Sequence, residues 1–318
     1  MYPEPLIIPP VRSHRQTFIL LHGRGSNASK FGPALLSSQI LLPLGDSHVE
    51  EHTLSSAFPH AKFVFPTASR RRATAYKRSI ISQWFDNWPL EDSSASHASA
   101  TEQGKQEHEY LQIDGLRETS AYIHQLLRRE ISLVGGDAKN VVLGGLSQGC
   151  AASLVALLLW DGDPLGAAIG MCGWLPFQMQ IDDTVRGLNT NEDEDVVDGE
   201  DFNPFADEGK VNNNSRAIEE SPARAIMYLK EEFGISCSSP SPPDLPFQSI
   251  PLFLGHGVED AKVPIHFGRK AASCLSAMEM EVIWNEYPNL GHWYSESMLR
   301  DLVVFLRERL PRAQEPGV

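Results

Sequence analysis

The sequence predicts an α/β fold, with a mostly parallel central sheet and helices on both faces. Three observations carry this. Short apolar runs of strand length recur along the chain and alternate with segments of helical period. One run, Val141-Val142-Leu143, passes through Gly144-Gly145-Leu146-Ser147-Gln148-Gly149 straight into an apolar helical segment, Cys150 to Trp160. Ahead of it, from Glu107, residues Ile113, Leu116, Ile123, Leu127 and Ile131 share one helical stripe and Gly135-Gly136-Asp137 closes the segment, as a helix crossing between parallel strands requires.

The remaining elements follow in order. Thr17 to Leu21 (TFILL) has the branched, apolar character of a central strand and ends at His22-Gly23-Arg24-Gly25-Ser26. Phe31 to Leu42 reads as weakly helical, and Ala61 to Pro66 as the next strand, closed by its proline. A long polar loop then runs through Arg70-Arg71-Arg72 to Trp84-Phe85-Asp86-Asn87-Trp88, whose aromatic residues either anchor packing or wall an apolar substrate. Ser93 to Thr101 is low in complexity. After the helical segment Cys150 to Trp160, Leu165 to Met171 is another buried strand, leading to Cys172-Gly173-Trp174-Leu175-Pro176. Residues 178–249 break the pattern as an acidic, proline-rich insertion. Seven carboxylates fall between Asn191 and Asp201, a self-repelling run that also falls short of a calcium loop, since it lacks the glycine and glutamate at the positions such a loop needs. Within the insertion, Ser221-Pro222 starts a capped helix that ends at Gly234, and this helix could act as a lid. Ile250 to Gly255 and Val282 to Tyr287 are the last strands, Ser295 to Leu310 the last helix, and 311–318 a disordered tail. The expected organisation is one domain over 1–318.

Composition narrows the function. With 318 residues and 42% hydrophobic content the chain can bury a large core. A formal charge of −14 without a basic stripe argues against nucleic acid. The cluster Arg70-Arg71-Arg72 with Lys77-Arg78 reads as a solvated loop, with anionic lipid or an acidic substrate as the sharper alternative. No signal peptide, myristoylation site or transmembrane segment is expected, and four scattered cysteines without metal-ligand spacing suit free thiols in a reducing compartment, hence a cytoplasmic protein with no metal and no cofactor. The sequons at Asn27 and Asn213 carry no meaning without secretion.

The chemistry centres on Gly145-Leu146-Ser147-Gln148-Gly149. A strand turning into a helix within two or three residues strains its middle residue, and glycines two positions to either side remove the Cβ atoms that would collide. Ser147 is thereby raised above the sheet, with the N–H of Gln148 at a helix start where anionic charge is stabilised. The glycines after Thr17 to Leu21 supply a second loop, and the N–H of Arg24 is the expected second oxyanion donor. A serine hydroxyl needs an imidazole to take its proton, and the imidazole needs an acceptor on its other nitrogen. His292 lies in a glycine-flanked loop between the last strand and the last helix, and Asp260 follows the penultimate strand. The order Ser147, Asp260, His292 is that of an α/β-hydrolase. Glu259 is an alternative acid, while Asp161 and Asp163 are too near the elbow in sequence to reach across. His22 and His256 are alternative bases, each better read as tying its own loop.

LLHGRGS, SQWFDNW, VVLGGLSQGCAASLVALLLW, MCGWLP, GHGVEDAKVP and NLGHWYS together resemble the acyl-protein thioesterase / lysophospholipase branch of the phospholipase/carboxylesterase family, over roughly residues 15 to 177 and 249 to 310. The resemblance implies a serine hydrolase without a metal, cleaving acyl esters or thioesters, with S-acylated proteins or lysophospholipids as partners in the reaction. It carries catalysis onto Ser147, Asp260 and His292, the oxyanion hole onto the amides of Arg24 and Gln148, and an acyl-pocket wall onto Trp84 and Trp174. The chain departs from the eukaryotic thioesterases at Arg24 and Ser26, where leucine and aspartate are usual, and at Val258 and Ala261, where aspartate and proline are. His-Gly-Arg-Gly more closely resembles broad carboxylesterases of the same family. The alternatives are a general carboxylesterase of small esters and a non-catalytic protein that holds an acyl ligand on the same fold.

Overall fold

The computed structural model describes residues 2–44, 48–90, 102–187, 222–236 and 245–311. The acidic run 191–201, the segment 93–101, Cys237, Asn213 and the tail from 312 lie outside them.

Seven strands form the main sheet: β1 (Leu6–Ile8), β2 (Gln16–Leu21), β5 (Ala61–Phe65), β8 (Val141–Leu146), β9 (Ala167–Met171), β10 (Leu252–Gly257) and β11 (Val282–Tyr287). Their order across the sheet is β1-β5-β2-β8-β9-β10-β11. Only β1 is antiparallel to its neighbour. Every residue of β2 and β8 is buried, as in a parallel sheet covered on both sides. Alternate residues go to opposite cores. Ile19, Leu21, Val141 and Leu143 pack on one side, and Phe18, Leu20 and Val142 on the other.

Helices supply both coverings. The first core takes Ile113, Leu116, Ile123 and Leu127 of α3 (Glu102–Leu133), the whole elbow helix α4 (Gln148–Leu158), Ile181 of α5 (Gln178–Val185), Ala225, Ile226 and Leu229 of α6 (Pro222–Glu232), and Ala271 and Leu275 of α7 (Ile265–Ala277). The second takes Phe31 and Leu35 of α1 (Ala28–Leu36), Leu54 of the short α2 (Leu54–Ala57), and Met298, Leu302, Phe305 and Leu306 of α8 (Glu296–Arg309). Helix α6 is therefore a packing element. Phe233, just beyond it, meets Phe177 edge to face with ring centroids 5.5 Å apart, and no described residue of 222–236 lines the cavity above Ser147. The apolar face of this helix, the expected lid, is used against neighbouring helices.

Two hairpins were not expected. Residues read as the end of a weak helix leave it at Leu36, where the Ser37 N–H closes onto Pro33, and Ile40–Leu44 pairs with His48–His52 as β3 and β4. The arginine-rich loop is itself a hairpin, β6 (Arg70–Ala73) with β7 (Ser79–Ser82), whose turn carries positive φ at Lys77 and Arg78. Arg71 donates to Glu118 at 2.5 Å.

Register sets where the strands end. Leu21 lies beside Gly145, Leu146 beside Met171, and Gly257 beside Tyr287. The segments that follow β2, β8, β9, β10 and β11 thus leave the sheet at one rim, where open parallel sheets bind ligands. The elbow depends on how close its neighbour comes. A Cβ on Gly149 would stand 2.4 Å from the Leu21 carbonyl oxygen and 2.6 Å from that of His22, while one on Gly145 would stand 2.5 Å from the Gly149 carbonyl carbon. Gly149→Ala should therefore force backbone apart and cost about 1–3 kcal/mol, read as a lowered Tm. Lower in the sheet, Lys62 of β5 pairs with Glu130 of α3, which is 1% exposed and also accepts from Thr17. Lys62→Met should remove the closest cation from that carboxylate, leaving only Arg129 at 4.0 Å, and cost about 3 kcal/mol; in denaturant melts, adding Glu130→Leu should restore much of the loss.

Candidate active site

Ser147 stands between β8 and α4 with φ 57° and ψ −123°, a strained conformation for a residue with a side chain. Its N–H is tied to the Met171 carbonyl at 2.8 Å. Its Oγ lies 2.8 Å from His292 Nε2, and His292 Nδ1 lies 2.7 Å from Asp260 Oδ2. A carboxylate only accepts, so the proton sits on Nδ1, leaving Nε2 to accept from the hydroxyl.

Backbone contacts join the acid and base loops. The Val258 N–H donates to Tyr287 and the Glu259 N–H to Leu290, each at 3.0 Å. Glu259 itself is exposed, so the acid beside His292 is Asp260. Asp260 is 5% exposed and amply hydrogen-bonded. Its Oδ1 accepts from the N–H groups of Lys262 and Val263 at 2.9 Å each, and its Oδ2 lies 3.3 Å from His256 Nε2. Burial alone would raise its pKa, but bonds from His256, His292 and Val263 outweigh it and hold the carboxyl well below the usual range. His256 also donates to the Val263 carbonyl at 2.8 Å, which makes it a strut for the acid loop.

His22 is fully buried. Its Nδ1 donates to the Gly23 carbonyl at 2.7 Å, its Nε2 accepts from Ala68 N–H at 3.1 Å, and burial lowers its pKa to about 4. Both nitrogens are occupied, so it fixes its own loop, as the sequence suggested.

The two expected oxyanion loops are held by one polar network. Gln148 opens α4, so its N–H has no carbonyl one turn earlier to bond. Its side chain is buried, with Nε2 donating to the Phe85 carbonyl at 2.7 Å and to Asn87 Oδ1 at 3.3 Å, while Oε1 accepts from Trp84 N–H at 3.0 Å. Asn87 Oδ1 also accepts from the Arg24 guanidinium, and Trp84 Nε1 donates to the His22 carbonyl at 2.8 Å. Nothing in the residue spacing marks Asn87 as the point where both loops meet; its place beside two tryptophans was the available signal.

A cavity of about 410 Å³ opens over Ser147. Arg24, Gln148, His292 and Trp174 line it, and so does Trp88, one of the loop aromatics read as either anchor or substrate wall; Tyr76, Lys262 and Trp293 also line it and carried no sequence signal as site residues. Trp88 and Trp293 are 42% and 46% exposed and form an aromatic lip. Trp84 does not reach the cavity. It is 0% exposed, and both its nitrogens are spent on the network below, so its expected place in the substrate wall is corrected to that of a packing anchor. Cys172, Asp260 and His292 place potential metal-ligating atoms within 4.8 Å of one another. Burial pushes the Cys172 thiol up to about 12, which disfavours the thiolate a metal would need, and its S–H faces the Trp293 carbonyl at 3.2 Å. Among the described residues, no helix is long and apolar enough to cross a membrane.

The family model for phospholipase/carboxylesterase matches residues 3–192 and 219–310. Acyl-protein thioesterase 1 of Gibberella zeae is 23% identical over 307 residues, covering 96% of each chain. The carboxylesterase SOBER1 of Arabidopsis thaliana is 22% identical over 304 residues, covering 93% of this chain and 91% of its own. The crystal structure of Zea mays acyl-protein thioesterase 2 superposes with a TM-score of 0.59 at 19% identity, over 98% of this chain and 100% of its own, and shares the fold. A strained serine at an elbow, a buried carboxylate behind an imidazole and a family match along most of the sequence agree: the chain belongs to the phospholipase/carboxylesterase family of α/β-hydrolases.

Proposed function

We propose that the chain hydrolyses acyl esters or thioesters through an acyl-enzyme formed on Ser147. The observation that carries this reading is the unbroken chain of hydrogen bonds from Ser147 Oγ through His292 to Asp260, at the floor of the cavity. In it, Ser147 Oγ attacks the substrate carbonyl carbon as His292 Nε2 takes the hydroxyl proton, and the carbonyl electron pair moves onto oxygen. The amides of Gln148 and Arg24 face that oxyanion, a contribution of about 3 kcal/mol per donor. The imidazolium returns the proton to the departing alkoxide or thiolate, and Asp260 stays ionised throughout, consistent with its depressed pKa. Water, deprotonated by His292, then releases the acid.

Trp174, Trp88 and Trp293 supply apolar surface for an acyl chain, so S-acylated proteins and lysophospholipids fit as substrates. A carboxylesterase of small esters is the second reading, favoured by a cavity near the lower end of the roughly 300–1,000 Å³ of small-molecule sites. Relatives carry both names. The free, buried cysteines suit a reducing compartment, and the reading places the enzyme in the cytoplasm.

With a p-nitrophenyl ester, wild-type protein should release p-nitrophenol and Ser147→Ala should fall by at least about 10³-fold. Turnover that persists in Ser147→Ala removes the assignment. Bound ester without any release favours a non-catalytic acyl-ligand protein. Across matched ester and thioester series, rates climbing with acyl length favour the long-chain reading, and a maximum at short acyl groups the second.

A further inference from the structure

The cavity over Ser147 holds a cation that has no carboxylate partner among the described residues. Arg24 runs from the loop after β2 along the cavity wall, where its guanidinium donates to Asn87 and lies over the Tyr76 ring, 5.8 Å from the centroid. Asn87 is a neutral amide already shared with Gln148. Among the described residues Arg24 forms no salt bridge, and Asp86, a carboxylate in its field, is taken up elsewhere. Oδ1 of Asp86 accepts from Thr74 N–H at 2.8 Å and from Gln83 at 3.3 Å, and Oδ2 from the Thr74 hydroxyl at 2.6 Å. Burial lowers the Arg24 pKa, and the charges of Tyr76 and Asp86 only partly offset it. A guanidinium nonetheless stays charged at neutral pH.

The rest of the lining repeats this bias. The chain has 41 acidic and 27 basic side chains, yet among the described residues no aspartate or glutamate lines the cavity, whereas Arg24 and Lys262 both do. A half-buried cation in a concave site of one sign is costly to the fold unless it meets an anion. A guanidinium resting on a ring still presents an N–H edge, the geometry that forks a carboxylate or phosphate.

We propose that Arg24 is a specificity residue, and that this cavity takes esters or thioesters carrying a carboxylate or phosphate, which the Arg24 guanidinium binds beside the scissile acyl group. The proposal rests on Ser147 as nucleophile, and deepens that reading by naming the charge of the substrate. Lys262 adds a second cation at the mouth, where it draws anionic substrates in.

The test uses two substrate pairs matched in size: p-nitrophenyl hemiglutarate against p-nitrophenyl pentanoate, and a lysophosphatidic acid against the monoacylglycerol with the same acyl chain. The readout is the ratio of kcat/KM within each pair, because Arg24 also contributes its backbone amide and its variants are not expected to leave basal turnover untouched. Wild-type protein should prefer the anionic member of at least one pair by about tenfold or more, and the pair that responds separates carboxylate from phosphate. Arg24→Leu should bring that ratio to near one, mainly through KM, and Arg24→Lys should keep part of it. In wild-type protein, 1 M NaCl should also shrink the ratio, a readout that holds if the variants fail to fold. A wild-type ratio of one or below in both pairs, a ratio unchanged in Arg24→Leu, or one indifferent to salt overturns the proposal. Failure of wild-type protein to hydrolyse any of the four esters would instead overturn the reading of Ser147.

Discussion

The hydrogen bond between His292 Nδ1 and Asp260 Oδ2, 2.7 Å long, is the contact on which the site depends. It fixes which nitrogen of the imidazole carries the proton, and so whether Nε2 can accept from Ser147. That bond exists because β10 and β11 run in parallel register to Gly257 and Tyr287, and because the loops beyond them are joined through Val258 and Glu259. The serine arrives from β8, with β9 and β10 between it and the base strand. Three residues far apart in sequence meet because parallel strands finish at one rim, and any slip in register would move the side chains to the wrong face.

Rigidity beneath the site comes from polar groups spent on one another. Gln148, Asn87, Trp84 and His22 bind the elbow helix, the loop after β2 and the loop carrying the tryptophans into one buried network, and burial keeps His22 neutral. In a low-dielectric interior such a network holds its members in place because unpaired groups would be costly. Arg24 is tied to it through Asn87 but brings a charge that the network does not neutralise.

Much of this was legible in the sequence, for identifiable reasons. The central strands read clearly because Phe18 to Leu21 of β2 and all of β8 are apolar, and the elbow because glycines are forced where Leu21 and His22 carbonyls approach. Asp260 and His292 could be placed because each follows a strand late in the chain. Features decided by tertiary contact were not legible. The turn of β6 and β7 uses left-handed backbone at Lys77 and Arg78, residues that give no turn signal. Ile40–Leu44 carries a proline, and its strand exists only by pairing with a charged partner strand. An aromatic residue can wall a cavity or anchor a core with the same sequence signature. Trp84 and Trp88, four residues apart, took opposite roles because the indole N–H of Trp84 found the His22 carbonyl. Helix α6 has the pattern of a lid, but that pattern fits any surface helix whose apolar stripe is met by a core.

The central claim is that residue 147 carries the acyl group and depends on the imidazole beside it. The most direct measurement is peptide mapping by mass spectrometry after brief exposure to an alkyl fluorophosphonate, for wild-type protein and for His292→Gln. A single adduct on the peptide containing Ser147, lost or greatly slowed in His292→Gln, is the expected result. An adduct on another residue, or labelling of Ser147 at an equal rate without the imidazole, would contradict it.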